Sequence, residues 1–542
     1  MKVWEKFTSE PKKRKWRLFI LKKPANWILK IRIGIIFWIN SKNTDSSNSL
    51  TTSYWNVEFS KKKKKQLYEY SIQIKKAMIC FKKKLVLCTL FCTIYSFSQQ
   101  IQISKNSFWQ QQGYDRILAL KDSVYHYYNI NDINCKVLAE GNFAGRFSVV
   151  SASDSLLVLN PGGIVNYSFK RINSLPEICS IQQVKDTSFE KNFKIFWLTF
   201  KDNYAFFKER NISWQQIYNE YIPKIRKLKT EQEFAFVLKE IVLKINDGHI
   251  RLEIPKALNS KINKSVQKPV RSLKSKAEVI KDIQQKYIET TKSYNNGVVQ
   301  WGILKQSKTG YIVITDMNNF ADYVPNPETD SKDFSPKYNA IRDTKVPLKL
   351  FDDELKGVEK IIKIILDDFK NTQSVIIDLR FNGGGYETVA LQLLRHFVTQ
   401  KKDILSVKAK THDGFSPSQT YSLVPAQDNY LKKVYVLTSH KTASAAEIFA
   451  LGTLSYPEII RIGSSTAGIF SELLWKELPN GWEFSLSNEI YSDNKNITYE
   501  GLGIPVKHDM HYPKDPVSFY DTFYSSNNFT DKALEKVFLL EK

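Results

Sequence analysis

The sequence predicts an α/β protein in which an N-terminal β-rich unit and a helical domain precede the main sheet. Three observations carry this. From Gly310 onward, apolar runs of strand length alternate with amphipathic runs of helix length, the pattern of a largely parallel sheet with helices packed on it. Residues 99–186 hold short alternating stretches such as "RILALKDSVYHYY" and "RFSVVSASDSLLVL", separated by turn signals such as "NPGG". Residues 187–256 follow helical spacing. A chain of 542 residues is too long for one ordinary core, so several domains are expected.

The first 98 residues stand apart. The formal charge of +25 resembles that of a nucleic-acid binder until it is located. Residues 1–77 carry 19 Lys+Arg against 5 Asp+Glu, residues 78–98 add three lysines, and only +8 remains for the other 444 residues. No nucleic-acid partner is expected once that basic segment is set aside. From Met78, Lys82 to Lys84 form a basic n-region and Leu85 to about Phe97 an apolar h-region, with Ser96 and Ser98 at the −3 and −1 positions of a cleavage site. Its roughly thirteen apolar residues fall short of the roughly 20 that span a bilayer. The reading is a secretory signal over residues 78–98 with translation starting at Met78, and residues 1–77 as a non-native or disordered basic extension. The mature protein is then periplasmic or extracellular and meets the membrane only during export.

Cysteine usage agrees with export. Cys80, Cys88 and Cys92 leave with the signal, and Cys135 and Cys179 remain; the spacing leaves open whether they pair. With no CxxC and no His/Cys cluster, no metal site is expected.

Along the mature chain, Thr230 and Glu233 form a capping box ahead of Leu238, Ile241, Val242 and Ile245, which share one helix face. That helix runs into "INDGHIRLEIP", where Asp247 and Gly248 break it. Residues 257–305, rich in Lys, Ser and Gln, read as a linker with one helix around Ala277 to Thr291. Residues 306–515 form the main domain: "GYIVIT", "SVIIDLR", "VYVLT" and "IIRIG" are strands, "ELKGVEKIIKIILDDF", "VALQLLRHF" and "ASAAEIFALGTL" helices, and "ELLWKELPNGWEFSLSN" a hairpin turning at Pro479 to Gly481. Residues 516–542 are a C-terminal tail with a helix.

Sites in such folds lie where strands end and helices begin, and two such junctions carry unusual residues. In "DLRFNGGGYE", Gly383, Gly384 and Gly385 permit positive φ and close approach of a ligand to backbone amides, or simply a tight turn. Neither GxxxxGK[ST] nor GxGxxG is met, so no phosphate loop is read here. In "TSHKTASAAEIF", Ser444 sits at a helix N-terminus, where it either caps the helix or uses the helix dipole and the Ala445 amide to stabilise developing negative charge.

With "GSSTAG" and "YEGLGIP" following in order, these motifs resemble the C-terminal processing and tricorn-core family of serine peptidases, over about Phe196 to Pro505. The upstream "FWLTFKDNYAFFKERNISWQQIYNEY" is similar to the helical region that precedes the family's catalytic domain. The resemblance implies a ClpP/crotonase-like fold and peptide-bond cleavage by serine acyl transfer, with no cofactor and with a polypeptide or peptide as substrate. It implies Ser444 as nucleophile and the amides of Gly384 and Ala445 as oxyanion hole. The stretch from Pro255 to Gly310 is short for the PDZ module found in the family.

The processing branch uses a lysine base on the loop after the next strand. Here that loop reads Gly463-Ser-Ser-Thr-Ala-Gly-Ile469, and isoleucine stands at the lysine position. Lys441, three residues before Ser444, reads as a solvated surface charge. The tricorn-like branch uses a histidine in a pattern that "INDGHIRL" resembles, so His249 is the implied general base, a role that suits an imidazole. Rivals are His440 and His508, the latter in "KHDMH", which lacks a third metal ligand. Glu500 in "YEGLGIP" is the implied orienting carboxylate, with Asp247 as substitute, although the family's Pro-Asp after that motif is missing and Gly248 stands where tricorn has serine. The reading is an exported serine endopeptidase. The alternative is a catalytically inactive hydrophobic-ligand or peptide-binding module of the same fold, as in the related interphotoreceptor retinoid-binding protein.

Overall fold

The computed structural model describes residues 2–3, 18–19, 106–180, 186–265, 274–325, 332–525 and 528–542. The chain divides into two units, Met1–Gln100 and Ile101–Lys542. In the first, Lys2–Val3 pairs antiparallel with Leu18–Phe19. The expected signal segment 78–98 and nearly all of the basic extension 1–77 lie outside the described residues.

The second unit opens with a seven-stranded antiparallel sheet. Strands β1 (Asn106–Gln111), β2 (Arg116–Lys121), β3 (Val124–Asn131), β4 (Asn134–Asn142), β5 (Ser148–Ala152), β6 (Leu156–Asn160) and β7 (Tyr167–Ile172) run in the order β4-β3-β2-β1-β7-β6-β5. Alternate side chains, among them Trp109, Leu118, Tyr127, Leu159 and Phe169, bury themselves on one face. Cys135 of β4 is disulfide-bonded to Cys179, so the two cysteines left open by their spacing are paired.

Helices α1 (Phe189–Asn203), α2 (Trp214–Ile225) and α3 (Glu231–Ile245) follow. The capping box of α3 is present: Thr230 Oγ1 accepts from the Glu233 amide at 3.2 Å and Glu233 Oε2 accepts from the Thr230 amide at 3.0 Å. Leu238, Ile241 and Ile245 of α3 are buried with Phe196 and Phe200 of α1.

The stretch read as a linker, 257–305, is largely structural. It contains α4 (Lys276–Tyr287), whose Val279, Ile280 and Ile283 are buried, and then β8 (Lys292–Tyr294) and β9 (Val299–Ile303). These two strands add antiparallel to β10 (Thr309–Ile314) at the edge of the main sheet. Trp301 and Val299 are buried there, so sparse apolar residues in a Lys-rich context are enough once a sheet edge supplies the backbone partners.

The main sheet continues through α5 (Pro347–Asp368), β11 (Ser374–Asp378), α6 (Glu387–Leu394), β12 (Lys402–Thr411, outside the main sheet), β13 (Lys433–Thr438), α7 (Ala445–Thr453) and β14 (Ile460–Gly463). A hairpin of β15 (Leu473–Glu477) and β16 (Glu483–Ser487) is followed by β17 (Glu489–Asp493) and β18 (His508–Asp509). The sheet order is β8-β9-β10-β11-β13-β14-β18, parallel from β10 onward. One face packs on α5, α6 and α7. The other packs on α4 and on the C-terminal α8 (Lys532–Glu541), so residues 516–542 close the core rather than trail from it.

Candidate active site

The two strand-to-helix junctions lie side by side because β11 and β13 are parallel neighbours in the sheet. After β11, the chain passes through Leu379, Arg380 and Phe381 into the glycine turn. Arg380 is fully buried, and its guanidinium bonds the carboxylates of Asp378 and Asp531 at 2.6–3.0 Å. After β13, Ser439 Oγ donates to the Arg380 carbonyl, Thr442 Oγ1 donates to the Leu379 carbonyl, and the Ala443 amide donates to the Asn382 carbonyl. These three bonds sew one junction to the other.

Ser444 therefore meets Gly384. A Cβ on Gly384, whose φ is +112°, would lie 2.6 Å from Ser444 Cβ and 3.1 Å from Ser444 Oγ. Only glycine permits that approach. Ser444 itself has φ +54° and ψ −126°, an uncommon conformation for a residue with a side chain. It stands at the N-cap of α7, a helix buried over its whole length. Among the described residues the Ala445 amide has no acceptor, as expected at the first helical position. The Gly384 amide donates to Asn382 Oδ1 at 2.9 Å.

Glu447, one turn into α7, is fully buried and collects donors from the loop of Thr466 to Ile469: the Thr466 hydroxyl, the Gly468 amide at 2.7 Å and the Ile469 amide at 2.8 Å. The Ser444 amide lies 3.3 Å from the same carboxyl and 3.1 Å from the Ile469 carbonyl. Burial pushes Glu447 up to about 7 against these bonds. Ile469 is thus a structural neighbour of Ser444. The nearby lysine, Lys441, turns to the Tyr520 ring, with Nζ 4.8 Å from its centroid.

His249 comes from the turn after α3. The Gly248 backbone packs on Ile469 so closely that a Cβ there would stand 2.4 Å from Ile469 Cδ1. Ile469 thus touches both the histidine's turn and, through its carbonyl, the serine. His249 is 6% exposed, its Nδ1 has no hydrogen-bond partner, and the Ser471 backbone faces the ring. Burial pulls its pKa down, and Asp247 opposes that pull. Asp247 Oδ1 accepts from the His249 backbone amide at 2.9 Å rather than from the ring.

Glu500 bonds neither ring nitrogen. Its Oε2 accepts from the Phe470 amide at 3.0 Å, and its Oε1 lies 3.1 Å from Arg210 Nη2. Burial and Asp247 push Glu500 up to about 8. Of the rival histidines, His440 faces the Thr466 backbone, and His508 lies on β18 with its pKa lowered by partial burial and by Lys536 and Lys507. Among the described residues no group of three or more His, Cys, Asp and Glu is placed to hold a metal.

Sequence reasoning singled out neither Glu447 nor Asn382 nor Arg210. Glu447 had a signal, since it stands three residues after Ser444, the spacing of a capping box. Arg210 had none.

The α/β sheet thus places a serine on a strained turn ahead of a buried helix, facing a glycine turn from the neighbouring strand. Residues 308–510 match the family model of peptidase family S41, and residues 185–242 match that of the tricorn protease C1 domain. The tail-specific protease of Haemophilus influenzae is 30% identical over 114 residues, 21% of this chain and 16% of that protein. The carboxy-terminal processing protease CtpA of Bacillus subtilis is 27% identical over 162 residues, 29% of this chain and 34% of that protein. The matched stretches thus span about a sixth and a third of these relatives. Among solved structures, a putative peptidase from Parabacteroides merdae has a TM-score of 0.47 and 18% identity, covering 66% of this chain and 97% of that one.

Proposed function

We propose that the chain is an exported serine endopeptidase that hydrolyses peptide bonds through an acyl-enzyme at Ser444, with His249 as general base. The observation that carries this reading is the seat of Ser444, a strained N-cap in contact with Gly384 inside the S41 domain. His249 takes the Ser444 hydroxyl proton as Oγ attacks the scissile carbonyl, and the carbonyl oxygen gains the negative charge. The free Ala445 amide and, after exchange of its Asn382 partner, the Gly384 amide stabilise that oxyanion. His249 then passes its proton to the leaving amine, and water hydrolyses the ester. No step requires a metal or cofactor. A base must be neutral to act, and burial favours the neutral imidazole.

The division of labour follows the domains: residues 187–256 supply the base, residues 306–515 the nucleophile, and Glu500 acts on the histidine's turn rather than its ring. The signal at Met78 would deliver the protein to the periplasm or beyond. Among the described residues no helix is long and apolar enough to cross a membrane.

One observation favours the alternative, a catalytically inactive hydrophobic-ligand or peptide-binding module: the Gly384 amide is engaged by Asn382. Reaction with a fluorophosphonate separates the two. The peptidase labels at Ser444, slowly as His249→Ala and not at all as Ser444→Ala. A folded wild-type protein that takes no label is a binding module.

A further inference from the structure

Arg210 lies in the turn between α1 and α2, inside the helical stretch but 39 residues before His249 and 290 before Glu500. We propose that Arg210 is a positioning residue for His249, clamping the turn that carries the histidine onto the loop that carries Glu500. The inference rests on the serine-peptidase reading, in which His249 is the base.

Arg210 Nη2 lies 3.1 Å from Glu500 Oε1 and 3.5 Å from Asp247 Oδ2, and Nη1 donates to the Asn246 carbonyl. One guanidinium thus holds three points across the boundary between helical region and sheet domain. The far oxygen of each carboxylate is tied inward. Asp247 Oδ1 takes the His249 amide, and Glu500 Oε2 takes the Phe470 amide. Phe470 sits between Ile469, whose carbonyl holds the Ser444 amide, and Ser471, whose backbone faces the His249 ring. The result is a closed circuit from Ser444 through Phe470, Glu500, Arg210 and Asp247 to His249.

Neither carboxylate replaces the arginine. Tyr204 OH donates to Asp247 Oδ2 at 2.8 Å and so supports one of the two acids without a positive charge. The charged and titratable groups around the circuit are Asp247 and Arg251 beside His249, and Asp247, Arg210 and Glu447 beside Glu500, with Tyr204 on Asp247. Arg210 is the cation that separates the two acids, and its planar fork spans both, which a lysine cannot do equally. Asp247 deprived of that cation draws a proton onto His249 and lets its turn move. General-base catalysis suffers on both counts, since small displacements of a catalytic group are costly.

The test is the rate of fluorophosphonate labelling of the full chain from pH 5 to 9, with thermal melting of each variant and Ser444→Ala as blank. Arg210→Gln is expected to label at least about ten-fold more slowly at pH 7, with the rise of its rate displaced to higher pH. Arg210→Lys, which keeps the charge and loses the fork, is expected between Arg210→Gln and the wild type in rate and displacement. A folded Arg210→Gln with the wild-type rate and an unmoved rise overturns the proposal, as does slower labelling with the rise unmoved in both variants. If Arg210→Gln does not fold, Arg210→Lys decides alone: the intermediate behaviour supports the clamp, and wild-type behaviour overturns it. A wild type that takes no label overturns the peptidase reading itself, which is a different outcome.

Discussion

Gly384 and Ser444 are in contact across two parallel strands: a Cβ on the glycine would stand 2.6 Å from the serine's own Cβ and 2.9 Å from the Ala443 carbonyl oxygen. Neither obstacle is the end of a flexible side chain, and the glycine's φ of +112° disfavours any side chain. Gly384→Ala is therefore expected to displace the two junctions from each other and to slow Ser444 labelling by roughly a hundred-fold, the scale of a displacement near 1 Å. Labelling kinetics on a variant whose melting is cooperative checks this.

Carboxyls raised by burial set the direction of the pH dependence of stability. Glu447 is pushed from its ordinary 4.5 to about 7, and Glu472 and Glu500 to about 8, chiefly by burial. A raised acid binds its proton more tightly when folded, so its contribution is complete below about 4.5 and is lost as pH rises through the folded value. His249, His440 and His508, pulled down, and Lys476, lowered to about 7, work oppositely and lose their contributions as pH falls, but Asp316, Glu354, Glu387 and Glu489 are raised as well. Thermal melting is expected to fall from pH 5 to pH 8.5, and Glu447→Gln, which cannot ionise, to show a smaller fall.

Arg380 ties the C-terminal segment to the strand that leads into the glycine turn. It is fully buried between Asp378 and Asp531, with Tyr512 OH 3.1 Å from Nη1. Removing one partner leaves a buried charge undercompensated, so Asp531→Ala is expected to cost about 3–5 kcal/mol of stability. Denaturant unfolding measures it, and wild-type stability would mean that α8 docks through its apolar face alone.

The disulfide between Cys135 and Cys179 closes a sequence separation of 44 residues within the β-rich unit. Loop-closure entropy for that length corresponds to about 4 kcal/mol in the unfolded state. Reduction is expected to lower the melting temperature, and Cys135→Ser with Cys179→Ser to melt at the reduced temperature with no further response to reductant.

Much of the fold is legible in sequence because its signals are local. The capping box at Thr230 and Glu233, the buried strand "SVIID" and the hairpin around Pro479 each depend on residues within a few positions of one another, and each forms. The misreading of 257–305 has the opposite cause: β8 and β9 are short and flanked by lysines, and only an existing sheet edge makes them strands. At the site, the strand-to-helix junctions at Gly384 and Ser444 are visible as motifs. The engagement of the Gly384 amide by Asn382, and of Glu500 by Arg210 and Phe470 instead of the histidine ring, is not, since it depends on side-chain directions.

By itself the sequence determined the alternation of strands and helices, the candidate nucleophile and the glycine turn, all carried by residue type and short spacing. Only the tertiary structure decided that Ile469 stands between the serine and the histidine's turn, that Glu447 binds the serine's helix to that loop, and that Arg210 joins Asp247 to Glu500. Those relations cross 19 to 290 positions of chain. Separations of that size carry no periodicity, and packing alone brings such residues together.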